Sequence, residues 1–498
     1  MAKSRLAAAI VITRGSGQET EVFLVQRNPE LRFLGGYWAF PGGTVISDDY
    51  HPGDNETADP LMLCAARELF EETGLLTSGI SDRLSLSERT RIRNELLEST
   101  SASNWLSIID SAGPDYSELS PICSLVTPPF APVVYDTRFF HLSLADEMEP
   151  DVVPGELVNS GFFKPGQAVD KWRSGEIDIA PPVLFLLTLM QEMGFPEFRS
   201  TAENYAYRFS KGELLPVYFV PGIFIAPLKT PTLPPATTTN TLIVGNDQLY
   251  LVEPATPDQL EQQRLFARMD EMIAAGKKFK AILLTHHHAD HVGAVTAASR
   301  RYNLPVRAHP LTYERIKAGF IKGEPLHDGD RIELGRSPDG SPDWRLTVIH
   351  TPGHADDHLC YLDNRYHSAI VGDMLSTVST ILIDPPEGHM RTYLNSLERL
   401  LEYPLKTVFP SHGPVHRDGQ ALIRNFLDHR REREHKIIKA LDTIGQSLEA
   451  MLPVVYDDIG EASHAIASRS LLAGLIKLAE DGVCIHGNNG WKLTSVRP

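Results

Sequence analysis

The sequence contains few cysteines, and no two of them form a CxxC pair. There are four in 498 residues, at Cys64, Cys123, Cys360 and Cys484. Such isolated thiols exclude a disulfide framework and a structural zinc site built on thiolates. They fit a reducing compartment, and we therefore expect a cytoplasmic protein.

A membrane-spanning run and an excess of basic charge are also absent. No stretch reaches the roughly 20 apolar residues that cross a bilayer. The short apolar run from Leu6 to Ile12 leads directly into a second run, from Glu21 to Gln26, and this arrangement predicts a pair of strands rather than a signal peptide. The net charge of −17 excludes general attraction of nucleic acid, so a polyanion would need a local basic patch or a bound metal.

The length of 498 residues predicts two or three domains. Residues 1–210 mix strand-like runs with a helix, and a Pro/Thr-rich connector follows. Residues 216–420 alternate strands and helices, which predicts an α/β sandwich. Residues 421–498 begin with a charged helix and end in a helix followed by a hairpin. We expect a multidomain chain of the α/β and α+β classes.

Histidines and aspartates cluster after an apolar strand and recur at later strand ends. The first group comprises His286, His288, Asp290 and His291, and the later residues are His354, Asp373 and His412. An isolated histidine is usually a surface residue or a hydrogen-bonded one, but a series of this kind is not. Imidazole and carboxylate without thiolate are typical of a hydrolytic zinc site.

This series resembles the metallo-β-lactamase superfamily, with its pattern HxHxDH followed by His, Asp and His. The resemblance implies an αββα sandwich that binds two metal ions, expected to be Zn²⁺. One ion would be held by His286, His288 and His354, and the other by Asp290, His291 and His412. Asp373 would bridge the two ions. Asp290 would also orient the attacking water or accept its proton.

One position departs from the superfamily pattern. The family usually has aspartate after the first hairpin, whereas this chain has Glu253 in the run Val252-Glu253-Pro254-Ala255. A glutamate could still accept a hydrogen bond from a ligand, although its longer side chain changes the geometry.

The C-terminal half is similar to the subgroup of metallo-β-lactamase-like protein 2. The similarity lies in Thr239-Asn240-Thr241, in the run 351–358 and in a winged-helix-like tail. That subgroup includes endoribonucleases specific for single-stranded RNA. The tail could equally be a packing element. The best basic patch lies on the charged helix and comprises Arg424, Arg430, Arg431, Arg433, Lys436 and Lys439. Such a run is more often a solvated face.

The N-terminal half contains a helix with three carboxylates on one face. Glu68, Glu71 and Glu72 fall within about a third of the helix circumference. Three crowded carboxylates repel one another unless a cation joins them, and such oxygen ligands suit Mg²⁺ or Mn²⁺. Gly74 is expected to end the helix.

This helix resembles the Nudix box, Gx5Ex7REUxEExGU, with Gly43 as its glycine and Asp59 in place of its first glutamate. Fifteen residues separate Gly43 from Asp59 instead of five, so we predict a ten-residue insertion around 48–57. The resemblance implies an α/β/α sandwich. Its site residues would be Glu71 and Glu72 as metal ligands, Glu68 as ligand or base, Arg67 as their orienting partner, and Gly42 and Gly43 at the substrate.

The interrupted box, with Thr127-Pro128-Pro129 and the run 136–140, looks like the Nudix subgroup that contains peroxisomal coenzyme A diphosphatases. We therefore predict a bifunctional metal-dependent hydrolase. The C-terminal site would cleave single-stranded RNA or, alternatively, a thioester or other ester, as glyoxalase-II-like members do. Alternatively, the Nudix half is a non-catalytic nucleotide-binding module. Expected partners are a small-molecule diphosphate or acyl-thioester, or single-stranded RNA, with no membrane. The oligomeric state is left open.

Overall fold

The computed structural model describes residues 4–50, 59–77, 84–98, 105, 118–131, 133–145, 148–460 and 463–494. The chain forms two compact units, Met1–Pro221 and Gly222–Pro498, which divide inside the predicted connector. Most of the predicted insertion, residues 51–58, lies outside the described residues. The three domain boundaries given above stay predictions.

A seven-stranded mixed sheet forms the centre of the first unit. Strand β1 is parallel to β6 and antiparallel to β2 and β4. Because alternate side chains of a strand face opposite sides, Ile10 and Ile12 enter one core layer and Val11 the other. The strands are β1 (Arg5–Arg14), β2 (Glu21–Arg27), β3 (Trp38–Ala39), β4 (Gly42–Thr44), β5 (Ser120–Val126), β6 (Tyr135–Ser143) and β7 (Leu157–Phe163).

Helices cover both faces of this sheet. Helices α1 and α2 contribute to one apolar layer, and α3 to α5 contribute to the other. The expected α/β/α sandwich is therefore confirmed. Gly74, in the left-handed region at φ 69°, ends α1 as expected. The helices are α1 (Pro60–Thr73), α2 (Leu86–Glu98), α3 (Pro165–Arg173), α4 (Pro181–Met193) and α5 (Phe195–Ser210).

The second unit contains two large sheets, in agreement with the expected αββα sandwich. Within the second unit the first sheet has the order β14-β13-β12-β11-β10-β9, and the second runs from β15 to β20. Strand β8 (Tyr218–Val220) ends just before the boundary at Pro221. The strands of the first sheet are β9 (Ile223–Lys229), β10 (Thr238–Gly245), β11 (Gln248–Val252), β12 (Lys278–Leu283), β13 (Pro305–Arg307) and β14 (Ile321–Lys322). Those of the second are β15 (Arg331–Gly335), β16 (Trp344–His350), β17 (Leu359–Asp363), β18 (Ser368–Gly372), β19 (Thr407–Pro410) and β20 (His416–Arg417).

Helices flank these sheets, and a small C-terminal module follows. In this module α13 leads into a hairpin of two short strands, as the sequence predicts. The helices are α6 (Gln259–Ala274), α7 (Ala289–Val292), α8 (Val295–Tyr302), α9 (Pro310–Arg315), α10 (Met390–Leu400), α11 (Gly419–Ala440), α12 (Leu448–Val455) and α13 (His464–Glu480). The hairpin consists of β21 (Cys484–Gly487) and β22 (Gly490–Leu493). Among the described residues, no helix combines the length and apolarity needed to span a bilayer.

Candidate active sites

The predicted C-terminal site residues come together because each follows the carboxyl end of a strand. His286 comes after β12, His354 after β16, Asp373 after β18 and His412 after β19. Loops at strand ends commonly carry functional residues on a rigid frame. Chain segments more than a hundred residues apart therefore meet at one place.

Three imidazoles form the first cluster. His286 Nε2 lies 3.0 Å from His288 Nδ1, which in turn lies 3.0 Å from His354 Nε2. Burial lowers the pKa of His286 well below its ordinary value and lowers the pKa of His354 to about 4. The two buried rings are therefore neutral at pH 7, which is the form that binds a metal ion.

Asp290, His291 and His412 form the second cluster, and Asp373 stands between the two. Asp373 Oδ2 lies 3.5 Å from His354 Nε2 and 3.6 Å from His291 Nε2, and its Oδ1 lies 3.5 Å from His412 Nε2. One carboxylate therefore faces ligand nitrogens of both clusters, as a bridging group would.

Two buried atoms at the centre lack hydrogen bonds within the described part of the chain. They are His291 Nε2 and Asp373 Oδ1, and an unpaired buried polar atom is costly. The pKa of Asp290 lies below its usual range because His291 and His412 outweigh the opposing effect of burial. A cation placed between these atoms would accept a lone pair from the imidazole nitrogen and one from the carboxylate oxygen, so the residues present fit a metal.

Glu253 contacts the second cluster at Nδ1 of His291, the ring nitrogen opposite the candidate ligand atom Nε2. Its Oε1 lies 3.0 Å from His291 Nδ1, and its Oε2 accepts a 2.6 Å hydrogen bond from Ser411 Oγ. Its side chain is buried, and its φ of 50° lies in the left-handed region. The longer glutamate side chain thus still reaches a candidate ligand.

Sequence reasoning missed two residues that support this site. His358 Nε2 accepts a 3.1 Å hydrogen bond from the backbone N–H of Asp373, and burial lowers the pKa of His358 to about 3. Asn240 Nδ2 donates to the carbonyls of Pro410 and Gly413, on either side of His412. Both residues lie in runs that carry the family resemblance, 351–358 and Thr239-Asn240-Thr241. The contact of Asn240 with 410–413 could not be predicted, because about 170 residues separate them.

In the first unit, Arg67 organises the carboxylates of α1. Arg67 is 3% exposed, and its guanidinium donates 2.9 Å hydrogen bonds to both oxygens of Asp49. The same group donates to Glu68 at 2.8 Å and to Glu71 at 3.1 Å. Burial, and next the Glu68 charge, raise the pKa of Glu71 to about 7.

The two glycines lie directly against these carboxylates. Gly42 N donates a 2.9 Å hydrogen bond to Glu72 Oε2, and a Cβ on Gly43 would lie 2.2 Å from Glu68 Oε1. Burial, followed by Glu68, raises the pKa of Glu72 well above its usual value. Within the described residues, the groups of three ligand atoms within 4.8 Å of one another all lie in the second unit. In the first unit Arg67 joins Glu68 and Glu71, and Glu72 is bound by the backbone of Gly42.

The assignment of Asp59 to the first acidic position of the Nudix box is corrected by the structure. Asp59 caps α1 by accepting a 3.1 Å hydrogen bond from Leu61 N, and it pairs with Arg138. Asp49 instead meets Arg67, and it follows Gly43 with the five intervening residues of the pattern. The extra residues therefore lie after Asp49, between it and Arg67.

The basic patch predicted on α11 is also smaller than the sequence suggests. Arg430 and Arg433 are buried, and they donate to the carbonyls of Ile381 and Val455. Lys436 pairs with Asp457. Arg424 and Arg431 donate to Gln420 and Asp428 of the same helix, so five of the six predicted cations have partners within the unit.

Comparison with known proteins matches three family models to the chain. The NUDIX domain covers residues 3–96, the metallo-beta-lactamase superfamily 233–412, and the beta-lactamase associated winged helix domain 447–491.

Individual relatives match about half of the chain. An atrochrysone carboxyl ACP thioesterase from Claviceps purpurea is 26% identical over 43% of this chain and 64% of its own length. A beta-lactamase-like protein 2 homolog from Drosophila melanogaster is 25% identical over 49% of this chain and 83% of its own length. The crystal structure of a metallo-beta-lactamase family protein from Thermus thermophilus has a TM-score of 0.46 and 21% identity, covering 56% of this chain and all of that one.

The catalytic domains of both kinds depend on metal ions, and the described clusters supply candidate ligands. The chain is a metal-dependent hydrolase that combines an N-terminal Nudix domain, a metallo-beta-lactamase domain and a beta-lactamase-associated winged helix domain.

Proposed function

We propose that the second unit hydrolyses an acyl thioester at a site for two zinc ions. The observation that carries this proposal is the position of Asp373, which faces ligand nitrogens of both clusters at 3.5–3.6 Å. His286, His288 and His354 would hold one ion, and Asp290, His291 and His412 the other. Mixed imidazole and carboxylate donors without thiolate suit catalytic zinc.

The residues around the two ions would have distinct roles in hydrolysis. The bound ions would supply an acidified water and stabilise negative charge on the substrate carbonyl oxygen. The Asp290 carboxylate would orient that water or accept its proton. Asp373 would hold the two clusters in register, and Glu253 would fix the ring of His291 through Nδ1.

Two observations favour a thioester over RNA. A relative that is 26% identical over 216 residues is named as an ACP thioesterase. The net charge is −17, and Arg430, Arg433 and Lys436 of the predicted basic patch contact other residues of the unit. Cleavage of single-stranded RNA remains the second candidate, since the relative from Drosophila belongs by name to the beta-lactamase-like protein 2 group.

For the Nudix domain we propose hydrolysis of a diphosphate in a nucleoside derivative such as coenzyme A or its acyl thioester. Glu71 and Glu72 would hold Mg²⁺ or Mn²⁺, with Glu68 as ligand or base. Arg67 would keep Glu68 and Glu71 in place, and Gly42 and Gly43 would leave room for the substrate beside them. Burial, and next the Glu68 charge, raise the pKa values of Glu71 and Glu72. A bound cation would offset both effects by stabilising the carboxylates, which supports this proposal.

One experiment tests the thioesterase proposal directly. The purified protein, an Asp290→Ala/His291→Ala variant and a His435→Ala control would be assayed with acetyl-coenzyme A and with a single-stranded RNA oligonucleotide. His435 is an exposed histidine of α11 outside both clusters. We expect wild type and control to cleave the thioester and the double variant to lose at least 100-fold in rate. RNA cleavage alone, or activity that survives the double substitution, would refute the proposal.

A second experiment tests the Nudix proposal. Glu71→Gln/Glu72→Gln would be compared with wild type and with the exposed-site control Glu30→Gln, using coenzyme A and ADP-ribose with Mg²⁺ or Mn²⁺. We expect hydrolysis by wild type and control only. If wild type binds these diphosphates without cleaving them, the alternative of a non-catalytic nucleotide-binding module is correct.

A further inference from the structure

Leu382 connects a candidate ligand to the segment between β18 and α10. Its carbonyl oxygen lies 2.8 Å from Nδ1 of His354. A carbonyl only accepts hydrogen bonds, so His354 carries its proton on Nδ1 and directs the lone pair of Nε2 toward His288 and Asp373. The position of this carbonyl therefore sets both the tautomer and the direction of the ring.

Helix α11 holds the residue that precedes Leu382. Arg430, which is 6% exposed, donates a hydrogen bond to the carbonyl of Ile381. Its guanidinium also lies over the ring of Tyr393, 5.4 Å from the centroid. Tyr393 in turn donates a 2.9 Å hydrogen bond to the carbonyl of Met374, next to Asp373.

Helix α13 holds the residues that follow Leu382. Ser470 Oγ accepts a 3.4 Å hydrogen bond from Ile383 N. Arg469 donates through Nε to the carboxylate of Asp384 and through Nη2 to the carbonyl of Pro385 at 2.7 Å. Residues on both sides of Leu382 are thus bonded to the C-terminal helices.

Apolar packing reinforces these polar contacts. Ile381 and Ile383 are buried in one cluster with Ile423 and Leu427 of α11 and with Ala473 of α13. Burying aliphatic side chains stabilises such a contact, because it removes apolar surface from water. The C-terminal helices therefore pack against the 381–385 segment.

We propose that α11 and α13 are positioning elements of the metal site, which hold the Leu382 carbonyl so that His354 presents Nε2 to the metal. This inference rests on the proposed dinuclear site and adds a role for the C-terminal module. In this role the module supports catalysis by holding a metal ligand in position, and it does not contact the substrate. Arg469 and Arg430 are its principal positioning residues.

Removal of Arg469 gives the cleanest test, because its side chain is 46% exposed and its loss leaves no large cavity. Arg391→Ala is the matched control, because Arg391 is another partly exposed arginine that forms ion pairs at α13, with Glu480 and Asp481. Unlike Arg469, it makes no hydrogen bond to 381–385 in the described structure. Full-length protein would be loaded with Zn²⁺, and metal transfer to a chromophoric chelator would be followed over time. Thermal unfolding of the metal-free proteins would be measured in parallel.

We expect wild type and Arg391→Ala to release two ions at the same two rates. Arg469→Ala should release one of its two ions 10- to 100-fold faster, the range typical for loss of a group that orients a metal ligand, while the metal-free unfolding temperature matches that of the control. Arg430→Met should accelerate release of the same ion.

Equal release rates in wild type and Arg469→Ala would overturn the inference, as would faster release accompanied by an equal fall in metal-free stability relative to Arg391→Ala. Failure of the wild type to bind two ions would refute the proposed function instead, so the two failures are distinct.

Discussion

Arg67 and Asp49 form a buried bidentate ion pair, with both N–O distances at 2.9 Å. Asp49 is fully buried and lies 18 positions before Arg67. The planar guanidinium then has donors left for Glu68 and Glu71. The ion pair with Asp49 therefore holds Arg67 where its guanidinium contacts Glu68 and Glu71.

Asp49→Ala should therefore destabilise the first unit strongly. It leaves a buried guanidinium without its main counter-ion, and breaking a buried pair of this kind costs about 3–5 kcal/mol. Denaturant unfolding measures the loss. Asp59→Ala, which removes a helix cap, should cost only about 0.5–2 kcal/mol. An equal or larger loss for Asp59→Ala would contradict this ranking of the two aspartates.

Glu253→Gln should weaken metal binding at the second cluster. The amide replaces a carboxylate that faces His291 Nδ1 and accepts from Ser411, so His291 becomes a weaker ligand. We expect the affinity for one of two Zn²⁺ ions to fall about 10- to 100-fold, measured by chelator competition. Glu333→Gln, at an exposed position of β15, is the control. Unchanged affinity in Glu253→Gln would contradict the prediction.

His358 should be replaceable by glutamine but not by leucine. His358 Nε2 accepts the N–H of Asp373, and a glutamine carbonyl can take over that role whereas leucine cannot. We expect kcat of thioester hydrolysis to fall about 10- to 100-fold in His358→Leu and to recover mostly in His358→Gln. KM should change little, because His358 lies behind Asp373. Equal losses in both variants would mean that ring packing, not the hydrogen bond, is what matters.

Acid should destabilise the first unit through His141. Burial, and next Arg199, lower the pKa of His141 to about 4 in the folded state, against 6.5 for the free side chain. The unfolded chain therefore takes up a proton first as the pH falls from 6.5 to 4, and this contribution to stability is present above that window and lost within it. Between pH 7 and 5 the free energy of unfolding should fall by up to about 2 kcal/mol more in wild type than in His141→Gln. Parallel pH profiles in the two proteins would refute this.

Periodicity and spacing predicted much of this protein. The carboxylate face of α1 and its end at Gly74 follow from the helical repeat and from glycine's access to positive φ. The histidine and aspartate series could be recognised because its members follow the ends of predicted strands, which are β12, β16, β18 and β19 in the structure. Both are local properties, encoded within a few residues, so they can be recognised from the chain alone.

Contacts between distant residues could be decided only by the tertiary structure. Whether Asp49 or Asp59 meets Arg67 depends on the path of the chain between them. Two of the arginines predicted as a basic surface, Arg430 and Arg433, are buried against carbonyls, because the face that a charged helix buries depends on what packs against it. The sequence alone determined the set of candidate ligands, because their types and spacing are local properties. Their supporting partners depend on the packing of segments up to about 170 residues apart, such as Asn240 beside His412.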